Sequence, residues 1–190
     1  TFNGSLFLLP KDCRLTEFTL EGISNIQGDF QCIDYFYVKE FVMPFIRVAG
    51  DMTIALNSGS VNTAAEIEFP KLQEIGGTLT LGTNRNANNI TFPLLKKILG
   101  SCSVTTYKLK NDIEFTNLES IGTDGADAQI KFEIEATNIL CPKLKTINGK
   151  FDIATSSFMF DMEVDKVSYP NVESISENLS ITCPYSDFGS

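Results

Sequence analysis

The stretch Phe69 to Leu81, FPKLQEIGGTLTL, decides how this chain folds. It sets three apolar residues three apart, Phe69, Leu72 and Ile75, with Pro70 inside the first interval and Gly77 two residues after the last. It then alternates strictly through Thr78, Leu79, Thr80 and Leu81. Alternation at period two is the signature of a short strand with one buried face. A glycine directly before it marks a corner that needs positive φ or close backbone approach.

The same phrase returns as FPLLKKILGSCSV from Phe92, CPKLKTINGKFDI from Cys141 and YPNVESISENLSI from Tyr169. Seven copies align in all. The first apolar slot reads Leu20, Val42, Phe69, Phe92, Phe115, Cys141 and Tyr169; the second reads Ile23, Phe45, Leu72, Leu95, Leu118, Leu144 and Val172. The third reads Ile26, Val48, Ile75, Ile98, Ile121, Ile147 and Ile175, with steps of 22, 27, 23, 23, 26 and 28 residues. Periods of this size belong to stacked supersecondary units, in which one unit cannot bury its apolar face alone. The unequal steps are loops of unequal length.

The expected scaffold is therefore an all-β solenoid with one strand per coil. Gly28, Gly50, Gly77, Gly100 and Gly149 hold the corners, and the buried strand pairs are Phe30 and Cys32, Met52 and Ile54, Leu79 and Leu81, Cys102 and Val104, Phe151 and Ile153, and Leu179 and Ile181. Gly4 to Leu8 repeat the corner and the alternation, which adds a strand at the start. A parallel stack of eight strands would be about 34 Å long at about 4.8 Å per step. The insertion GTDGADAQ after Ile121 leaves the fifth strand's register open by two residues. Larger excursions run from Asn57 to Glu68 and from Ala154 to Ser168, and TEFTLEGISNI hints at short helical or irregular chain. The chain reads as a single solenoid domain over 1–190, with a capping coil at 1–19, seven repeats at 20–181 and a tail at 182–190.

The phrase LEGISNIQGDF (Leu20 to Phe30), taken with FPKLQEIGGTLTL, resembles the repeats of receptor L-domains and of the related leucine-rich-repeat surface proteins of bacteria. The resemblance implies a right-handed parallel β-helix of about eight coils. It also implies export and display at a cell surface, bacterial and after removal of a leader, often within a larger protein. The dense cysteine framework of animal receptors is missing, so growth-factor binding does not carry over.

Composition narrows the chemistry. Fifteen basic residues stand against 24 acidic ones, for a net charge of −9. With no basic run, nucleic acid and anionic membranes are poor partners. No apolar stretch is long enough to insert into a membrane. Histidine is absent, which removes Ser-His-Asp and Cys-His nucleophile systems and the commonest metal ligand. No catalytic, metal or cofactor site is expected. Clustered carboxylates such as Asp161, Glu163 and Asp165 keep open an alternative, a carboxylate-dependent polysaccharide-processing enzyme on a β-helix; a structural spacer in a larger surface protein is another.

Cys32, Cys102 and Cys141 fill apolar slots and read as small core hydrophobes; Cys13 and Cys183 stand near opposite ends. Only Cys13 and Cys32 are near enough in the repeat to pair, against the reading of five free thiols. Sequons at Asn3, Asn89 and Asn178 are no more than composition alone would give.

Two surface features qualify as binding sites for a protein or glycan ligand. The first is the outward row between the buried strand positions: Gln31, Thr53, Thr80, Ser103, Lys131, Asp152 and Ser180. A flat ladder of short polar side chains could hydrogen-bond an extended ligand, and a merely solvated sheet looks the same. The second is aromatic content in the excursions, Tyr35, Phe36 and Tyr37, and Phe158 with Phe160, which could stack on sugars or pack onto their own coil. The sequence thus points to a non-enzymatic extracellular or cell-surface binding or adhesion module.

Overall fold

A computed structural model describes residues 1–9, 17–33, 40–57, 65–84, 87–107, 113–123, 128–134, 139–155 and 170–182. Every strand pairing among them is parallel, and the strands form three sheets of eight, seven and six strands. Among the described residues there is no helix. The architecture is a β-solenoid in which the chain visits the six-stranded, seven-stranded and eight-stranded sheets in turn and then repeats.

The eight-stranded sheet is the one legible in the alternation. Its strands are Leu6–Leu8, Phe30–Ile33, Met52–Asn57, Leu79–Asn84, Cys102–Tyr107, Ala128–Ile134, Gly149–Thr155 and Leu179–Thr182, stacked in sequence order. The added first strand is there, and the fifth repeat settles with Ile130 opposite Cys102 and Lys131 opposite Ser103.

The expectation of one strand per repeat is corrected to three. The third apolar slot is itself a strand, but only two residues long, as at Glu74–Ile75 and Lys97–Ile98, and two residues cannot display an alternation. The six-stranded sheet lies just before the first slot. It takes in Ala65–Glu68, the end of the supposed excursion from Asn57, and Glu17–Thr19, where TEFTLEGISNI hinted at helix. Short parallel strands take their stability from neighbours on both sides, so they carry little local signal.

One slot also shifts. Val42 pairs with Glu68, so Met43 matches Phe69, and Met43 is fully buried where Val42 is only half-buried. The corner in this repeat is one residue shorter: Met43-Pro44-Phe45 does the work of Phe69-Pro70-Lys71-Leu72. The proline following the first slot, rather than the even spacing of three, marks the register.

The slots form columns through the core. Ile26, Val48, Ile75, Ile98, Ile121 and Ile147 are all fully buried. Phe69, Phe92 and Phe115 stack nearly parallel, with centroid separations of 5.0 and 4.9 Å. Each such pair contributes about 0.5–1.5 kcal/mol beyond the area it buries. Between columns and strand run the corner glycines, where Gly28, Gly50, Gly77 and Gly100 each donate their amide to the glycine one turn earlier at 2.9 to 3.0 Å. A Cβ on Gly100 would sit 2.7 Å from the carbonyl carbon of Gly77, so close approach is the reason for glycine there; positive φ occurs only at Gly149 among the five.

The sulfur atoms follow the slots. Cys32, Cys102 and Cys141 are free and buried, so Cys32 has no disulfide with Cys13, which lies outside the described residues together with Cys183. Burial raises all three thiols: Cys102 is pushed up to about 12, and Cys141 is raised by burial and then by the neighbouring Cys102.

Candidate functional site

The outward face of the eight-stranded sheet carries the candidate site. The backbone register runs Gln31 to Thr53, Thr53 to Thr80, Thr80 to Ser103, Ser103 to Lys131, Lys131 to Asp152 and Asp152 to Ser180. Every neighbour in the row is therefore one strand spacing away, about 4.8 Å. Phe7 extends the row by one strand and is half exposed. Thr80, Lys131 and Ser180 are exposed; Gln31, Thr53, Ser103 and Asp152 are half-buried between their neighbours.

Two parallel columns frame this row. On one side stand Ser5, Asp29, Asp51, Thr78 and Ser101, each directly after a corner glycine. Ser5 Oγ accepts from the Asp29 amide at 2.9 Å, Asp29 Oδ1 from the Asp51 amide at 2.9 Å, and Asp51 Oδ1 from the Thr78 amide at 2.7 Å. Ser101 Oγ accepts from the Gln129 amide at 3.0 Å. These side chains accept from backbone amides at the corner one turn on, in hydrogen bonds that are exposed or half-buried. They belong to the scaffold. Their signal was present in the sequence, a glycine followed by Ser, Asp or Thr at 4–5, 28–29, 50–51, 77–78 and 100–101.

On the other side stand Ile33, Ala55, Gly82, Thr105 and Glu133, aligned strand by strand. Across the central strands the residues are small. The consequence is a surface of short hydroxyl side chains, Thr53, Thr80 and Ser103, with Thr105 beside the last, changing to the opposite charges of Lys131 and Asp152. Such a surface can hold an extended ligand by repeated hydrogen bonds.

The loop candidates stand apart. Phe158, Phe160, Tyr35, Phe36 and Tyr37, and the carboxylates Asp161, Glu163 and Asp165, all lie outside the described residues. Among the described residues no group of three or more Cys, Asp or Glu is placed to hold a metal ion, and no helix is long and apolar enough to cross a membrane.

One feature was not read from the sequence. On the seven-stranded sheet a shallow depression of about 240 Å³ lies among Ile46, Arg47, Glu74, Lys96 and Lys97. Its floor is closed by a pair, Arg47 Nε to Glu74 Oε1 at 2.8 Å, between residues opposite each other in the sheet. The third-slot register of Val48, Ile75 and Ile98 already set Arg47, Glu74 and Lys97 side by side, each directly before its slot residue. A half-exposed ion pair of this kind contributes little to stability.

Compared with known proteins, the chain matches no protein-family profile, no curated protein and no solved structure.

Proposed function

We propose that this chain is a non-enzymatic binding module, displayed outside the cell, that holds an extended protein or glycan along the outer face of its eight-stranded sheet. The observation that supports it is the in-register polar row from Gln31 to Ser180, backed by a column whose side chains are already committed to the backbone. A row that serves only solubility has no need of short, uncharged side chains at its centre; Lys and Glu do that better. The resemblance of LEGISNIQGDF and FPKLQEIGGTLTL to receptor L-domain and leucine-rich-repeat surface proteins supports the same reading, with a right-handed coil and an adhesion role.

The test is a binding screen against immobilised glycans and surface proteins, repeated with Thr53, Thr80 and Ser103 all replaced by Arg. Arg side chains would stand up from the flat row without entering the core. The expected result is a folded variant that has lost the ligand. A folded variant that binds normally, alongside a Phe158→Ala and Phe160→Ala variant that does not, would move the site to the excursion.

A further inference from the structure

The depression on the seven-stranded sheet carries charge that the repeat does not call for. Its outward column runs Asn25, Arg47, Glu74, Lys97, Ser120, Thr146 and Ser174, one residue per turn in register. Uncharged side chains serve at both ends of that column, so stacking alone sets no demand for Arg47, Glu74 and Lys97 in its middle turns. The neighbouring column, joined by backbone hydrogen bonds of 2.8 and 2.9 Å, brings Ile46, Gln73 and Lys96 alongside them.

The charges around the depression do not cancel. Arg47, Lys96 and Lys97 stand against one carboxylate, Glu74, an excess of positive charge in a chain whose net charge is −9. Glu74 Oε1 is taken by Arg47 Nε at 2.8 Å, although Lys97 lies opposite Glu74 on its other side. Neither lysine has an ion pair among the described residues, even though Glu119 follows Lys96 in its column. Further along that column Lys145 and Glu173 do pair, at 3.5 Å. Lys96 and Lys97 are both exposed and adjacent in the chain, so they repel one another until an anion comes between them. Arg47 spends its Nε proton on Glu74 and keeps its terminal nitrogens for other acceptors.

The rest of the lining points to the kind of anion. Asn25 and Gln73 offer amides that both donate and accept, Glu74 keeps a second carboxylate oxygen, and Ile46 is 38% exposed beside them. Cations, amides, an acceptor and an aliphatic surface together suit a ring that carries a carboxylate, hydroxyls and a C–H face. A carboxylate side chain of a protein would use the lysines and leave the remaining lining idle. The space, about 240 Å³, falls below the roughly 300–1,000 Å³ of a cleft that engulfs a small molecule, so one such ring rests in it with its links to neighbouring sugars outside.

We propose that this depression binds a uronic acid unit of an acidic glycan, with the carboxylate between the Lys96 and Lys97 ammonium groups and the hydroxyls toward Arg47, Gln73 and Glu74. The site lies on a different sheet from the polar row and does not depend on that row binding anything.

Titration of the 190-residue chain with a short galacturonate oligosaccharide at low salt, followed by NMR, tests this. Saturable shifts are expected at the amides of Ile46, Arg47, Gln73, Glu74, Lys96 and Lys97, with affinity falling as salt rises. Each exposed charge pair is worth up to roughly fivefold in affinity, so a variant carrying both Lys96→Gln and Lys97→Gln should bind about tenfold more weakly. Its melting temperature should not change, since both side chains are exposed. A neutral galactose oligosaccharide should give no saturable shifts at these amides, and a short glutamate peptide should bind several-fold more weakly than galacturonate. Absence of saturation by galacturonate overturns the proposal, and so does a double variant that binds like the wild type. Equal binding of the neutral oligosaccharide would remove the role of charge, and equal binding of the glutamate peptide would make the site one for acidic peptides; either result overturns the assignment.

Discussion

Leu79 and Leu179 are the same residue in the same column of the same sheet, yet Leu79 is 0% exposed and Leu179 54% exposed. Nothing in either side chain accounts for the difference. Leu79 has Met52 on one side and Cys102 on the other; Leu179 has Phe151 on one side and, among the described residues, no strand on the other. In a solenoid, burial is a property of the neighbour on each side rather than of the residue or its repeat. The middle of the molecule and its end therefore follow different rules although their sequences follow one. The measurements below press on that contrast, beginning with the largest effect.

Replacing Ile98 by Asp places a carboxylate in a column that is 0% exposed and bounded by Ile75 and Ile121. No hydrogen-bond partner replaces water there, so a loss of several kcal/mol is expected in chemical denaturation. The same change at Ile175, the half-buried end of that column, should cost less than half as much. Equal losses would mean that the end is as enclosed as the middle.

The buried thiols make the core sensitive to alkaline pH. The thiol of Cys102 is raised from an ordinary value of 9.0 to about 12, with Cys32 and Cys141 raised by the same burial. Below pH 9 these groups are protonated in both states and pH has no effect through them. Above it the unfolded chain releases protons that the folded chain keeps, so stability falls as pH rises. The slope is about 1.4 kcal/mol per pH unit for each thiol. Denaturation curves at pH 8 and pH 10 check this, and the thiols should resist labelling in the native protein at pH 8. Rapid native labelling of Cys102 and Cys141 would place them at the surface.

Glycine substitution separates middle from end more finely. Gly100→Ala drives a methyl against the backbone of Gly77 and Thr78, all within 2.9 Å, and should cost about 1–3 kcal/mol by overpacking. Gly4→Ala has no such neighbour in the single chain. The smallest effect belongs to the outward row, where Thr80→Asp should alter stability by about 0.5 kcal/mol or less in thermal melts.

The inward columns and the outward row were both legible in the sequence, because each rests on a regular period. Leu79 and Leu81 against Thr78 and Thr80 gave strand, face and register together. The two further sheets were not legible, because Glu74–Ile75 and its counterparts are too short to show a period. Evenly spaced apolar slots also misassigned Val42, where the Pro after Met43 was the truer guide. The committed hydrogen bonds of Asp29 and Asp51 escaped notice since an acidic residue after glycine looks like an ordinary solvated corner. What the outward row binds is not written in any of these periods, because a scaffold's repeat records stacking and a ligand's identity depends on side chains the repeat leaves free.

The most direct test of neighbour-determined burial is the pair Leu79→Ala and Leu179→Ala, measured by urea denaturation of dilute protein. Cutting back Leu79 opens a cavity between Met52 and Cys102 and should cost about 2–5 kcal/mol. Cutting back Leu179 removes atoms already half in water and should cost about 1 kcal/mol or less. Equal and large losses at the two positions would contradict the account.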